Sequence, residues 1–443
     1  MDIEFSKNKL QSLGRRLRDS ETPLIEDIAL LQKYRISYKE SVKNVFDIVC
    51  REAQNINSEA ICSFRIKRID SIIRKLQRLK GYIELKSMRD IAGCRCIMQS
   101  DSEVFKLMKA LKRTSLILAQ EPNIYIGKNK KASGYQSIHM YVSLPEYPKQ
   151  YVEIQIRSII HHDWATFVET IDLLYNGKIK EGVLGSLNQE QYDDLFKFHQ
   201  ILAIPENQRK REDDEFIIQT VTKYDIIGRL DEILVKNIVY VRHQWADMSS
   251  RSNNPSYFYI STNTENKPTI SAFTAYSQAE DFYYKSFESN SNANMVLVCM
   301  PNASFDMISI AYSNYILISH KFTHQLHLTF AKYIENHYAQ NPILALRFSE
   351  YYKKNAVKVS RYISVEIDDM QKSITEYNSA IINEWYTDVK ERLGIFQTDL
   401  TLLTKATLKQ VAIGDTTGIK RMYKIIMYYL RLFLNHDMFT ELL

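Results

Sequence analysis

The chain has 443 residues, of which 45% are hydrophobic and 25% are charged, and its formal net charge is +6. This composition is globular and excludes a wholly disordered or collagen-like protein, and the length predicts two or three domains. Five cysteines, an odd number, argue against a secreted disulfide framework and favour the reducing cytoplasm. We expect neither a signal peptide nor a membrane helix, because the N-terminus lacks an apolar core segment and no apolar run reaches roughly 18 residues.

The positive charge is concentrated in one segment. Residues 61–90 hold nine Lys or Arg and three Asp or Glu, an excess of six that equals the excess of the whole chain. The remainder of the chain is therefore neutral in sum. A basic segment this local predicts one site for an anionic ligand and argues against a general polyanion coat.

The N-terminal region is predicted to be helical. Residues 1–60 contain a helix that starts near Pro23 and a second over Tyr38–Ala53. Apolar residues then recur at spacings of three, four and three, which predicts one face of a third helix with basic residues on its other faces. These apolar residues are Ile66, Ile69, Ile73 and Leu76.

From residue 91 the pattern changes to mixed strands and helices. A short strand is expected over Cys94–Gln99 and a helix over Ser102–Leu111. Ser137–Leu144 and Tyr151–Arg157 both alternate apolar and polar residues, which predicts two half-buried strands joined as an antiparallel hairpin. A helix follows over Ile159–Tyr175. Alternation places Glu153, Gln155 and Arg157 on one face, near His139 and Tyr141.

The second half is predicted as an α/β-like segment followed by a helical region. Strands are expected over Tyr257–Ser261, Thr269–Phe273 and Met295–Met300, with helices over Ser277–Ser289 and from about Asp306, and the last hundred residues lack proline. The predicted domains are residues 1–215, 220–340 and 341–443. The fold class expected for the whole chain is α+β.

Four segments of the first half could carry chemistry. The cations Arg65, Lys67 and Lys75 suit a polyphosphate, although taken alone they describe a solvated helix face. Asp90 stands just before a strand whose Gly93 permits close approach, so it could hold a metal ion against a phosphate, whereas a lone Asp there more often caps a turn.

The other two segments are the loop that runs from Lys128 to His139 and the strand around Glu153. The loop could place a phosphate site beside Tyr135, whose ring could stack on a purine; otherwise it is a mobile basic loop. Glu153 could bind Mg²⁺ and accept a proton from a hydroxyl; otherwise it forms a Glu–Arg pair on an exposed sheet face.

The order and spacing of these segments resemble the synthetase domain of the RelA/SpoT family, including the small alarmone synthetases. The family pattern runs R-x-K, S-I-x-x-K, D-I-x-G-x-R, a basic loop into G-Y-x-S-I-H, V-E-I-Q-I-R and W-A. The matching positions lie within about residues 40–176, and they are Arg65/Lys67, Ser71/Ile72/Lys75, Asp90/Gly93/Arg95, Gly134/Tyr135/His139, Val152–Arg157 and Trp164/Ala165.

The resemblance implies a mixed sheet flanked by helices, related to nucleotidyltransferases, and a Mg²⁺-dependent pyrophosphokinase. Such enzymes move the β,γ-pyrophosphate of ATP onto the 3′-hydroxyl of GDP or GTP, which makes (p)ppGpp and leaves AMP. It implies that Asp90 and Glu153 are catalytic and bind Mg²⁺, with Glu153 activating the hydroxyl. The implied ATP-binding residues are Arg65, Lys67, Lys75 and Arg95. The implied acceptor-binding residues are Tyr135, which stacks on the base, His139, Lys130, Lys131, Gln155 and Arg157.

Departures from the family pattern leave the acceptor open. Residues 124–130 lack the acid and the proline that often precede Gly-Tyr, and this departure touches the acceptor side. The histidine that usually follows W-A is also absent from residues 166–170, a change that we expect to be tolerated. Some members of this superfamily are toxins that pyrophosphorylate the 3′ CCA end of tRNA, and the lysine-rich loop at 128–131 would suit an RNA backbone. A third alternative is an inactive module that senses nucleotides or RNA.

The rest of the chain suggests no second activity. The 60 residues before Arg65 are too few for the hydrolase domain of the long family members, so alarmone hydrolysis is not expected. His320, His324 and His327 have helical spacing for a metal site, but a polar helix face is the favoured interpretation. Residues 220–443 could be a regulatory module, a platform for a homo-oligomer, or a built-in neutraliser or sensor.

Overall fold

The computed structural model describes residues 5–177, 184–233, 255–262, 268–289, 294–300, 321–338, 340–373 and 379–434, with single residues at 179, 237, 241, 244, 308 and 312. The chain divides into two compact units. Unit 1 comprises Met1–His162 and Ser252–Ala303, and unit 2 comprises Asp163–Arg251 and Ser304–Leu443. This division differs from the predicted boundaries at 215/220 and 340/341, because the strands near residues 257–299 complete the sheet of unit 1.

Unit 1 begins with three helices and continues as alternating strands and helices. Its first elements are α1 (Lys7–Asp19), α2 (Ile25–Ile36), α3 (Lys39–Ile56), β1 (Ile61–Ile66), α4 (Ile69–Arg78), β2 (Ala92–Met98) and α5 (Asp101–Leu111). Two short strands and the long hairpin follow as β3 (Ile117–Leu118), β4 (Asn123–Tyr125), β5 (Ser137–Leu144) and β6 (Tyr147–Ser158). The predicted α+β class, with a mixed sheet flanked by helices, is confirmed.

Nine strands of the described chain form one mixed sheet in the order β3-β5-β6-β2-β1-β9-β7-β8, with β4 paired to β5. Strand β2 runs parallel to β6 and antiparallel to β1. The late elements of unit 1 are β7 (Tyr257–Thr262), β8 (Pro268–Phe273), α9 (Tyr276–Ser289) and β9 (Asn294–Cys299). Strand β9 pairs antiparallel with both β1 and β7, so the segment predicted as a separate α/β domain extends the first sheet.

One face of the sheet is apolar and packs under helices. On α3, Val42, Val45, Phe46 and Val49 are buried, and they share a core with Phe64 and Cys94 of the adjoining strands. Burial of such side chains stabilises the unit by about 1.5–3 kcal/mol each relative to exposure. Alternation along each strand turns the intervening polar residues to the opposite face. The core therefore fixes which side chains form the polar face.

Two local predictions need correction. Ile66 is the last residue of β1, and the following helix starts only at Ile69, so the helical spacing that included Ile66 was wrong by one turn. The register of β1 with β2 explains this, because Ile66 pairs with Ala92 while Arg68 precedes the helix as its N-cap. The predicted antiparallel hairpin is confirmed, but β6 already begins at Tyr147 and leaves a two-residue turn.

Unit 2 is helical in its described part. Its labelled elements are α6 (Ile159–Tyr175), most of which belongs to this unit, α7 (Gln189–Leu202), α8 (Arg211–Tyr224), α10 (Lys321–Tyr338), α11 (Pro342–Ser373), α12 (Ser379–Ala412) and α13 (Thr417–Leu434). The predicted helical C-terminal region is confirmed for these ranges, whereas the predicted helix start near Asp306 lies outside the described residues. Within the described ranges, none of the helices is both long and apolar enough to cross a membrane.

Candidate active site

Two lysines meet on one carboxylate oxygen in unit 1. The ammonium Nζ atoms of Lys67 and Lys75 lie 2.6 Å and 2.7 Å from Oδ2 of Asp90. Local structure explains the encounter: the backbone N–H of Lys67 donates to the carbonyl of Ile91 at 2.8 Å, which extends the β1–β2 ladder by one residue. Lys75 reaches the same point from α4, whose Leu76 is buried in the core. Three of the predicted site residues are thus brought together.

Burial and charge act in opposite directions on this cluster. Burial alone would raise the pKa of Asp90, but the positive charges of Lys67 and Lys75 outweigh it and lower that pKa. Burial also lowers the pKa of Lys67, against the attraction of Asp90. The cluster carries one more positive than negative charge. Its two ammonium groups could therefore both attract a polyphosphate and donate hydrogen bonds to it.

The second carboxylate oxygen of Asp90 is buried. Oδ1 of Asp90 accepts no hydrogen bond from any residue in the described part of the chain. A buried carboxylate oxygen without a donor is costly unless something else binds it. No group of three His, Cys, Asp or Glu side chains in the described chain forms a complete metal site. Carboxylates and phosphate oxygens are the ligands that Mg²⁺ prefers, so Asp90 fits an ion whose remaining ligands come from a substrate.

Glu153 of β6 is held by three neighbours on the hairpin. Its Oε1 accepts from the hydroxyl of Tyr141 at 3.1 Å and lies 3.0 Å from Nδ1 of His139, and its Oε2 accepts from Nε2 of Gln155 at 3.1 Å. The register accounts for these contacts, because Tyr141 pairs with Glu153 and His139 with Gln155 across β5 and β6. The polar face expected from alternation is therefore present.

The pKa values of Glu153 and His139 shift in opposite directions. Burial alone would raise the pKa of Glu153, but the hydrogen bond and charge of His139 outweigh it and lower that pKa to about 2. Burial alone would lower the pKa of His139, but the hydrogen bonds and charges of Glu153 and Tyr135 together outweigh burial and raise that pKa. Glu153 is consequently ionised at neutral pH. It is suited to attract a cation or orient a hydroxyl, and by pKa alone it is a weak base.

Gly93 lies beside Glu153 on the neighbouring parallel strand. The two residues are register partners, and a Cβ added to Gly93 would stand 3.2 Å from the backbone oxygen of Glu153. Glycine at this position therefore permits the close approach of β2 to Glu153. The Asp90 and Glu153 clusters are linked electrostatically, because Lys67 lowers the pKa of both carboxyl groups and both carboxyl groups raise that of Tyr141.

The Gly-Tyr segment places Tyr135 against two cations. Its hydroxyl lies 2.8 Å from Nε2 of His139 and accepts from Nη2 of Arg157 at 2.7 Å. Its ring centroid is 4.9 Å from the Arg157 guanidinium and 5.1 Å from Nζ of Lys131. Gly134 makes this turn with a φ of +95°, a conformation that favours glycine. Tyr135 is only 5% exposed, so stacking on a base would require the exposed Lys131 to move aside.

The remaining predicted residues take different positions. Arg95 and Gln155 are register partners on β2 and β6, and Arg65 pairs with Gly93 from β1, so all three belong to the strands that carry the face. Lys130 is exposed, and its ammonium makes no hydrogen bond or ion pair with any described residue. The structure therefore gathers most of the predicted site residues on one sheet face, while their roles stay predictions.

Sequence reasoning missed a supporting residue from the N-terminal helices. Arg35 of α2 is 1% exposed and donates from Nε to the carbonyl of Lys67 at 2.7 Å. Burial lowers the pKa of this guanidinium to about 10. Its hydrogen bond fixes the backbone of Lys67. A buried arginine at the end of a helix gives no local signal in sequence, so this contact required the tertiary structure.

The histidines considered for a metal site are described only in part. His320 lies outside the described residues, as does the side chain of His324. His327 is buried in unit 2, with Nε2 at 3.3 Å from Oδ1 of Asp231 and the hydroxyl of Tyr352 donating to its carbonyl at 3.3 Å. His327 is thus a packed residue with a carboxylate partner, and metal binding there gains no support.

Comparison with known proteins assigns the segment that holds this site. Residues 64–180 match the model of a region found in RelA / SpoT proteins. The predicted resemblance to that family is confirmed for this segment, which is about a quarter of the chain.

Curated relatives match over a somewhat longer stretch. The GTP pyrophosphokinase YjbM of Bacillus subtilis is 34% identical over 130 residues, which cover 27% of this chain and 59% of that protein. An uncharacterised protein of Mycobacterium tuberculosis, Rv1366, is 28% identical over 179 residues, which cover 40% of this chain and 62% of the relative. The chain therefore spans less than two thirds of the length of these relatives.

Two solved structures also match part of the chain. Small alarmone synthetase 2 from Bacillus subtilis is 26% identical, with a TM-score of 0.30, and the match covers 40% of this chain and 89% of that protein's chain. Small alarmone synthetase 1 from Bacillus subtilis, bound to its product pppGpp, is 20% identical, with a TM-score of 0.30 and coverage of 42% and 93%. More than half of this chain lies outside each of these matches.

Proposed function

Since residues 64–180 form a RelA/SpoT region, we propose that this chain is an ATP-dependent pyrophosphokinase that transfers the β,γ-pyrophosphate of ATP to the 3′-hydroxyl of GDP or GTP. The observation that carries the proposal is the convergence of Lys67 and Lys75 on Asp90. Asp90 lies two residues before β2, the strand that pairs with the part of β6 that carries Glu153. The similarity to a protein named GTP pyrophosphokinase supports a guanine nucleotide as the acceptor.

On the donor side, the cations would hold the ATP phosphates. Lys67 and Lys75 are 25% and 21% exposed at their side chains, so they are partly desolvated yet accessible to a ligand. Each would exchange part of its bond to Asp90 for phosphate oxygens. Arg65 and Arg95 on the adjoining strands are the further donors that the family pattern suggests. Positioning and charge neutralisation of this kind account for most of the catalysis in phosphoryl transfer.

We further propose that Asp90 and Glu153 hold Mg²⁺. The donor-free Oδ1 of Asp90 and the ionised state of Glu153 support this assignment. When bound, the ion would neutralise charge on the transferred phosphates. The ion would also offset the repulsion between the two carboxylates.

In the reaction, the 3′-oxygen of the acceptor attacks the β-phosphorus of ATP. The bond between that phosphorus and the α,β-bridging oxygen breaks, and AMP leaves with the oxygen. Glu153 receives the hydroxyl proton. A carboxylate with a pKa near 2 is a weak base, but in a loose transition state positioning matters more than base strength. His139, whose pKa is raised, would hold the carboxylate of Glu153 in position through its contact with Oε1.

On the acceptor side, Tyr135 would bind the guanine ring, with His139, Gln155, Lys130, Lys131 and Arg157 near its phosphates. A second candidate is transfer to the 3′ end of tRNA. The observation that favours it is the exposed basic turn formed by residues 128–131, which offers several cations outside the enclosed face. An inactive sensing module is the least favoured alternative, since both carboxylates and the lysines are present.

The test is a transfer assay on the full chain with ATP labelled in its γ-phosphate. GDP, GTP and bulk tRNA are offered separately, and the label is followed to each acceptor. Label on GDP or GTP supports the proposal, label on tRNA supports the second candidate, and no transfer to any of them refutes both. Glu153→Gln should abolish transfer. Glu146→Gln, an exposed acid in the turn of the same hairpin, is the matched control and should transfer normally.

We also propose the cytoplasm as the site of this activity. All five cysteines are buried and free of disulfides, which fits a reducing compartment. ATP and guanine nucleotides are available there as substrates.

A further inference from the structure

Unit 2 contains a cavity that the proposed reaction does not use. It has a volume of about 920 Å³ and is lined mainly by α11, with Thr222 of α8 at its side. Its lining contains five cations and one acid, which are Arg347, Lys353, Lys354, Lys358, Arg361 and Glu350. A volume of this size is typical of ligand sites, and the charge makes it a site for an anion.

Ion pairs reduce the free charge of this cavity without removing it. Lys353 lies 3.4 Å from Glu350, and Lys358 lies 2.7 Å from Glu232. Arg347, Lys354 and Arg361 are exposed and form no ion pair with any residue in the described part of the chain. Three of the five cations are therefore available to a ligand.

These three cations form a straight row. They are spaced seven residues apart, which is close to two turns of helix, so they share one side of α11. The opposite side is buried through Ala345 and Tyr352. With a rise of about 1.5 Å per residue, the row extends over roughly 21 Å. The phosphates of one nucleotide are too clustered to reach the whole row, whereas a nucleic-acid strand presents a phosphate at every nucleotide.

Aromatic side chains lie between the cations. Phe348, Tyr351 and Tyr362 also line the cavity, and all three are half-buried. The hydroxyls of the two tyrosines are anchored, because Tyr351 donates to Asp225 at 3.0 Å and Tyr362 to Glu232 at 2.8 Å. Rings that are fixed at one end and set among cations are the arrangement on which single-stranded bases stack.

From these observations we propose that the cavity on α11 is a binding groove for single-stranded RNA, held by Arg347, Lys354 and Arg361 on the phosphates and by the aromatic rings on the bases. The proposal does not depend on which acceptor the active site uses. A mononucleotide and an anionic membrane are the competing ligands. The length of the row disfavours the first, and the concave, aromatic lining disfavours the second.

The test measures binding of a fluorescein-labelled single-stranded RNA of about 20 nucleotides by anisotropy, a length that exceeds common single-strand site sizes. All proteins carry Glu153→Gln so that no chemistry occurs. The groove variant is R347Q/K354Q/R361Q. The matched control is K405Q/K409Q/R421Q, which removes three exposed cations from α12 and α13 of the same unit. Melting temperatures of both variants confirm that the fold is intact.

We expect the groove variant to bind the RNA at least tenfold more weakly in about 0.15 M salt, and its salt slope to fall by about 2, since each cation contributes about 0.7 for single strands. The control should bind as the parent does. Equal losses in the two variants, or no loss in the groove variant, would overturn the proposal. It would also fail if pppGpp or ATP displaced the RNA, or if phosphatidylserine vesicles bound this groove and RNA did not.

A separate measurement keeps this proposal distinct from the proposed function. The groove variant with Glu153 restored should transfer pyrophosphate to GDP or GTP at the parental rate, because all of its substitutions lie in unit 2 and the proposed active site lies in unit 1. Absence of transfer in every protein would refute the proposed function and leave the RNA result unaffected.

Discussion

Nδ1 of His139 lies 3.0 Å from Oε1 of Glu153, and the two side chains are only 12% and 14% exposed. This contact couples the candidate catalytic carboxylate to a chain of buried groups that continues through Tyr135 to Arg157. Each member of the chain stands on β5, β6 or the turn before them. The ionised state of Glu153 is therefore a property of the hairpin as a whole.

The first prediction concerns the pH dependence of stability through this pair. The pKa of His139 is raised above its ordinary 6.5, so its stabilisation is complete below pH 6.5 and is lost as the pH rises through the folded-state value. The pKa of Glu153 is lowered from 4.5 to about 2, so its stabilisation is complete above pH 4.5 and is lost as the pH falls toward 2. The pair stabilises most between these limits.

His139→Gln should accordingly flatten the alkaline side of the stability profile. We expect the melting temperature of the parent protein to drop more between about pH 6 and about pH 9 than that of the variant. Thermal melts followed by circular dichroism at both pH values provide the measurement. If the melting temperatures of the two proteins changed equally between these pH values, the pair would contribute nothing to the pH dependence of stability.

The second prediction concerns Gly93→Ala. The added methyl group would meet the backbone oxygen of Glu153 at 3.2 Å, so β6 must shift by a few tenths of an ångström. A displacement of that size in a positioned carboxylate should lower kcat about tenfold, on the scale where 1 Å costs about a hundredfold. The melting temperature should change little. The measurement is steady-state pyrophosphate transfer.

Gly394→Ala is the control for this substitution. Its Cβ would have no heavy atom within 4 Å, and the residue lies inside α12. Alanine in a helix interior is better than glycine by up to about 1 kcal/mol, so the control should keep its activity and melt slightly higher. Normal activity in Gly93→Ala would mean that the close approach to Glu153 has no catalytic role.

The third prediction concerns Lys75→Gln. The substitution removes one of the two ammonium groups on Oδ2 of Asp90, at 2.7 Å. A hydrogen bond to a charged group contributes about 1.5–3 kcal/mol, so kcat/KM for ATP should fall by about tenfold to about a hundredfold. Lys80→Gln, at a side chain 69% exposed that pairs only with Asp19 among described acids, should behave like the parent. An unchanged kcat/KM in Lys75→Gln would remove Lys75 from the ATP site.

The fourth prediction separates two roles of Tyr135. Tyr135→Phe keeps the ring but leaves Nε2 of His139 and Nη2 of Arg157 without the hydroxyl, which should cost about 1–3 kcal/mol of stability. If the ring binds the acceptor base, the KM for GTP should stay near the parental value. Tyr135→Leu lacks both features and should raise that KM strongly. Equal KM increases in the two variants would assign the hydroxyl, and not the ring, to acceptor binding.

The sequence by itself determined the polar face of the hairpin. Alternation over residues 137–144 and 151–157 assigned Glu153, Gln155 and Arg157 to one side, because successive side chains of a strand point to opposite faces. The helices predicted over Ser102–Leu111 and Ile159–Tyr175 likewise agree closely with α5 and α6. These features depend on periodicity, which is determined by residues close together along the chain.

Only the tertiary structure decided how distant segments combine. Strand β9 joins β1 across more than two hundred residues, and this pairing moved residues 257–299 into the first unit. Arg35 supports Lys67 from another helix, and the cations of α11 meet aromatic rings in one cavity. The same local sequence pattern is compatible with many long-range strand pairings. The choice among these pairings depends on burial and register in the folded chain, so the local pattern could not make it.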